Sequence, residues 1–135
     1  MIFLRLFISV LVILGSGFLS LDIVERAFDI SDVVKVDGVL NIWGVYGLFL
    51  ISLYGLIYWL GQIINLPFPI GNFTKPVVVL GVIISPLLTV VTYAKVHADI
   101  SDYVECSSLR KVSLHYSSRT YAMSKELCLT EAKDR

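Results

Sequence analysis

Residues 42–64 read IWGVYGLFLISLYGLIYWLGQII, without a single charged side chain. A helix of that length, at about 1.5 Å per residue, exceeds the roughly 30 Å hydrocarbon core of a bilayer. A helix is the form expected in lipid, because without water every backbone N–H and C=O must be satisfied inside the segment. Trp43 and Tyr46 lie near one end and Tyr58 and Trp59 near the other. This is the pattern of an interfacial aromatic belt, with ring bodies in lipid and polar tips in water.

Two further stretches qualify as spans. Residues 2–20 are broken only by Arg5, and residues 76–94 carry no charge. Arg5 lies close enough to the end to snorkel to the headgroups. A cleaved signal peptide is the rival reading of the first stretch, given Arg5, the apolar run, and small Gly15, Ser16, Gly17 and Ser20. A retained anchor fits better, because the run is long and has no A-x-A-like cleavage site. Residues 65–72, NLPFPIGN, should turn the chain between the second and third spans. Pro76 suits a first helical turn, where a missing N–H costs nothing. Pro86 should kink the third span, with Ser85 and Thr89 hydroxyls near the lost bond.

Composition agrees. Hydrophobic residues make up 56% of the 135 and charged residues 16%, which excludes a disordered chain. Lys+Arg and Asp+Glu are 11 each, so no basic excess is present to neutralise nucleic-acid phosphates. Mean hydropathy is +0.80, well above a soluble domain. The expected fold class is an all-α membrane protein, three transmembrane helices followed by a small β-hairpin tail. The expected parts are a three-helix region over 1–94 and a polar tail over 95–135.

Small and hydroxyl residues recur along each span: Ser9, Ser16 and Ser20; Gly44, Gly47, Gly55 and Gly61, beside Tyr54 and Tyr58; Gly81, Ser85, Thr89 and Thr92. Such residues let helix backbones approach and bond across the contact. Bundle packing is the favoured reading. A polar pathway, or a face receiving another membrane helix, is the other.

The first exposed loop, 21–41, sets Asp22, Glu25, Asp29, Asp32 and Asp37 against Arg26 and Lys35. Ile23, Ala27 and Ile30, with Val24 and Phe28, recur at near-helical spacing. Two readings stand: an amphipathic helix on the membrane surface, or a solvated acidic loop. In the tail, Val112, Leu114 and Tyr116 alternate with Lys111, Ser113 and His115, and Tyr121 and Met123 resume the alternation after Ser117-Ser118-Arg119. This predicts a β-hairpin with one apolar face, needing a staple or membrane-side support.

Cys106 and Cys128 are the two cysteines, both in the tail. A pair confined to one small exposed segment fits a disulfide in an oxidising compartment. It would close a loop of about 23 residues and contribute about 3 kcal/mol in the chain-entropy picture. An oxidising tail puts the amino terminus inside and the tail outside. The positive-inside rule pulls the other way, since Arg26, Lys35 and the tail's basic residues outnumber Arg5 and Lys75. The two arguments disagree.

No P-loop, GxGxxG, GxSxG or HExxH motif occurs. His97, Asp99, Asp102 and Glu105 match no metal-site spacing, and a hydrated acidic face is the better reading. Cys106 and Cys128 form no CxxC. No carboxylate or histidine lies deep in a span, which disfavours ion-coupled transport. The expectation is a protein that is not an enzyme, without catalytic, metal or cofactor-binding residues, whose partners are lipid and another protein rather than nucleic acid.

The tail carries one distinctive pattern: Asp102-Tyr103-Val104-Glu105-Cys106, then Thr120-Tyr121, then Cys128. It resembles an uncharacterised family of small inner-membrane proteins of enterobacteria and relatives, which end in Tyr-x-x-Cys, Thr-Tyr and a final Cys. Tyr103, Cys106, Thr120, Tyr121 and Cys128 match that pattern, and Asp102 stands where the family usually has Gly. The resemblance implies a bacterial inner-membrane protein with a periplasmic tail, of the kind that acts as an immunity protein against a membrane or periplasmic toxin. The alternative is a structural accessory subunit of an envelope complex, docking through the Gly44–Gly61 face.

Overall fold

The computed structural model describes residues 1–29, 31–64, 71–114 and 116–134. Three helices dominate: α1 (Ile2–Phe28), α2 (Val39–Ile64) and α3 (Thr74–Asp99). Each is long and apolar enough to cross a membrane. They contain the stretches 2–20, 42–64 and 76–94 and outrun them. α1 continues through Ile23, Val24 and Ala27 to Phe28, so these residues belong to α1 itself and not to a separate surface helix, while Ile30 lies outside the described residues. The expected turn over 65–72 falls mostly on residues outside the described set.

α3 changes pitch along its length. It is α-helical over Thr74–Val79, π-helical over Leu80–Ile84, and α-helical again over Ser85–Asp99. Pro86 is the cause. Its ring excludes the usual carbonyl four residues back and it offers no N–H. The preceding turn widens in response, so that the Ser85 N–H reaches back five residues to the Leu80 carbonyl.

The chain is mostly helical, as expected, and the segments outside the three long helices hold a four-stranded antiparallel sheet and a last helix, more than the tail hairpin expected there. The strands are β1 (Val33–Asp37), β2 (Val104–Glu105), β3 (Lys111–Val112) and β4 (Ser117–Ala122). The expected hairpin exists only as the short β3–β4 pair, with Val112 opposite Ser117. The long partner of β4 is β1 from the first loop, from Val33 opposite Ala122 to Asp37 opposite Ser118. On its other side β4 meets β2, then the Cys106 N–H on the Thr120 carbonyl at 2.8 Å, then β3. α4 (Lys125–Lys133) follows, capped by Ser124 Oγ accepting from the Leu127 N–H. Glu126 in its first turn and Lys133 in its last complement the helix dipole.

The chain divides into two compact units, residues 1–21 with 43–89, and residues 22–42 with 90–135. In the second, Ala27, Val34, Val36, Val96 and Ile100 form one core, with Tyr93, Tyr103 and Tyr121 against it. The valine and isoleucine side chains there contribute about 1.5–3 kcal/mol each through burial. Cys106, Ala122 and Cys128 form another cluster, with Val33, Leu109 and Leu127 around them.

Candidate interaction surface

In the first unit several of the sequence's small residues lie at helix contacts. Gly47 is buried, and a Cβ there would sit 3.4 Å from Ser85 Oγ. Gly55 is buried near Ser9 Oγ, and Gly81 lies against Ile51. Gly61 is buried too, whereas Gly44 has open space around it. Ser85 is 0% and Thr89 1% exposed. Thr89 donates to the Ser85 carbonyl at 2.8 Å, the back-bond expected beside a proline.

The widened turn frees one more acceptor. In α register the Gly81 carbonyl would take the Ser85 N–H, but that N–H is bonded to Leu80. In π register it would take the N–H of residue 86, which is proline. The Trp43 indole fills the gap, donating from Nε1 to the Gly81 carbonyl at 2.8 Å. Ser85 Oγ donates in return to the Trp43 carbonyl at 2.9 Å. Trp43, a belt residue by its sequence position, also clamps two helices. Tyr46, expected in the same belt, is buried. Near the other end, Tyr58 meets Trp59 and Phe73, each with ring centroids 5.0 Å apart. The Arg5 guanidinium lies 4.7 Å from the Trp59 ring centroid, a cation–π contact.

In the second unit the tail-motif residues are gathered by the sheet. Cys106 and Cys128 stand at disulfide-bonding distance, with Cα atoms 5.5 Å apart, tying the start of the tail sheet to α4. Ala122, 0% exposed, packs beside them. Tyr103 packs on the apolar core and donates through its hydroxyl to the Ser31 carbonyl at 3.1 Å. Thr120 is buried within β4 and Tyr121 packs on the core. Sequence reasoning missed β1. Its signal was the run Val34-Lys35-Val36-Asp37, whose valines are buried between less buried neighbours.

A cavity of about 170 Å³ opens beside the sheet, lined by Asp37, Tyr93, Ser117, Ser118, Arg119 and Tyr121 among others. The hydrogen bond that the Arg119 guanidinium donates to Tyr121, and then the charge of Glu105, hold its pKa above the ordinary value, so it stays cationic. Asp37 is engaged by Arg26 at 3.6 Å and by the Tyr116 hydroxyl at 2.7 Å. Among the described residues no group of His, Cys, Asp and Glu could hold a metal ion. The cavity thus gathers hydroxyls, one carboxylate and one guanidinium beside the sheet.

The edge of the head around β3 is apolar and bare. Leu114 is 97% and Val112 67% exposed, and Met123 and Leu129 are exposed too. The alternation read in the tail does not pick out a buried face: Val112, Leu114, Tyr116 and Met123 are exposed, and His115 lies outside the described residues. β4 buries Ser118, Thr120 and Ala122 instead, Ala122 in the cluster with Cys106 and Cys128. No family model matches the chain, and neither does a curated protein or a solved structure.

Proposed function

We propose that this chain is a multi-pass protein of the bacterial inner membrane that works by protein–protein interaction, with its amino terminus in the cytoplasm and its tail in the periplasm. Its specific role in this reading is immunity: it shields its own cell from a toxin acting in the membrane or periplasm. The observation that carries the reading is the head, in which the first loop and the tail share one sheet braced by the Cys106–Cys128 pair. A small preorganised surface binds with less ordering cost than a loose loop. The helices support the membrane placement, because Phe3, Phe7, Leu48, Ile57, Val82 and Val91 expose apolar surface along all three. The cystine supports the periplasmic side, since such pairs persist in oxidising compartments.

Two measurements test it. Thiol alkylation in intact cells should label Cys106 and Cys128 only after reduction; labelling without reduction would place the tail in the cytoplasm and remove the periplasmic reading. Co-expression with a toxin encoded beside this chain should restore survival, and unchanged killing would sink the immunity role. An accessory subunit docking through glycines has less surface to use, because Gly47, Gly55 and Gly61 are buried and Gly44 alone of the four is open.

A further inference from the structure

We propose that the β3–β4 turn is a membrane-inserting tip, with Val112, Leu114 and Tyr116 entering the interface of an anionic bilayer and Arg110 and Lys111 engaging lipid phosphates. This rests on the membrane reading above and adds a second, peripheral contact to it.

Placement is the first argument. β1 runs from Val33 to Asp37 and passes through Gly38 directly into α2. β4 is antiparallel to β1, with Asp37 opposite Ser118. The β3–β4 turn therefore lies at the end of the sheet from which α2 departs. Two hydrogen bonds fix it there. The Gly38 N–H donates to the Ser117 carbonyl at 2.8 Å, and Asn41 Nδ2 donates to the same oxygen at 3.2 Å. The turn thus sits beside the first turn of the apolar helix, where Val39 and Leu40 are themselves exposed. On the membrane reading this is the level at which α2 meets lipid.

Chemistry is the second argument. Val112 and Leu114 present aliphatic surface that none of the described residues covers, as their exposures show. Arg110 and Lys111, both exposed, immediately precede them. Basic residues flanking an aliphatic wedge are the composition of an interfacial element, and each cation near an anionic surface adds about fivefold to binding. Tyr116 is held at the base by its bond to Asp37, with Lys35 Nζ 5.4 Å from its ring centroid. An aromatic ring with an anchored polar tip suits the headgroup level. A protein partner would more commonly be met by aromatic anchors and Met or Arg than by aliphatic side chains beside a Lys. The charge pattern favours lipid.

The test uses the full chain in vesicles of phosphatidylethanolamine and phosphatidylglycerol. A third cysteine, introduced as Leu114→Cys and labelled with an environment-sensitive fluorophore, reports on the tip. Leu114 is almost wholly exposed, so the substitution leaves the fold intact. The same label at Ile57→Cys, on the exposed face of α2, reports on the span. Doxyl groups shallow in the acyl chain should quench the Leu114 label, and deep ones the Ile57 label. Quenching at Ile57 with a water-like Leu114 label, open to iodide, would overturn the tip and leave the span standing. Quenching at neither would overturn both. A Leu114 label shielded from iodide yet untouched by doxyl lipid would mean that protein covers the tip, and overturns it as well. Replacing Arg110 and Lys111 by Gln should lower the inserted-to-free ratio about fivefold per charge in these vesicles, and not in phosphatidylcholine. An unchanged ratio would overturn their role.

Discussion

Removing the indole N–H of Trp43 leaves the Gly81 carbonyl without a donor, since Ser85 is bonded elsewhere and Pro86 has no N–H. Trp43→Phe should therefore lower stability by about 0.6–2 kcal/mol, the range for hydrogen bonds between membrane helices. Unfolding midpoints in a mixed-micelle titration would measure it. Gly38 is a second sensitive position. A Cβ there would overlap Ser117 Oγ and press on the Ser117 carbonyl at 3.3 Å. Gly38→Ala should cost about 1–3 kcal/mol by overpacking. Ser117→Gly should recover part of that loss, and a double-mutant cycle in thermal unfolding would show the recovery. At this scale the sequence pointed to the right residue types for partly different tasks. Trp43 carried the composition of a belt aromatic. Its bond to Gly81 depends on a pitch change that no local spacing encodes.

Pro86 and Trp43 are two halves of one arrangement, so their effects should not add. In a Pro86→Ala background residue 86 regains an N–H and the turn over Leu80–Ile84 can return to α register. The Trp43→Phe penalty should then shrink towards zero; equal penalties in both backgrounds would disprove the coupling. The pair Cys106→Ser and Cys128→Ser should destabilise the head by about 2–5 kcal/mol. Hydrogen exchange should speed up in β2, β4 and α4, with little change in α2. The three long helices were legible because length and apolarity suffice to define a span. β1 was not, because Asp32, Lys35 and Asp37 gave its neighbourhood the look of a solvated loop. Its partner β4 lies far along the chain, and strand pairing at such separation leaves only a weak local pattern. α4 was also missed: its cap Ser124 was visible, but its mixed composition gives no strong helical face.

The head is built from two stretches of chain, 22–42 and 90–135, with two long helical passages between them. Cut from the rest, residues 95–135 lose β1, the one strand that pairs with β4 from Ser118 to Ala122. They also lose Ala27, Val34 and Val36 from the apolar core. The isolated segment, even with its cysteines oxidised, should show poorly dispersed amide resonances. Adding a peptide of residues 22–42 should improve that dispersion. A fully dispersed spectrum from 95–135 alone would show that the tail is self-sufficient. The sequence separates loop and tail because they are far apart in order, and their union follows from sheet pairing.

That pairing also sets an order of events during synthesis. Asp37 and Tyr116, bonded in the finished protein, are 79 residues apart in the chain. At about 5–20 residues per second the ribosome needs roughly 4–16 s to travel from one to the other. β1 therefore emerges ahead of β4 by about that interval, with its ladder edge open until β4 follows. An open edge recruits whatever strand arrives first. The nascent chain therefore passes through a window in which its first loop is a template awaiting its own last strand.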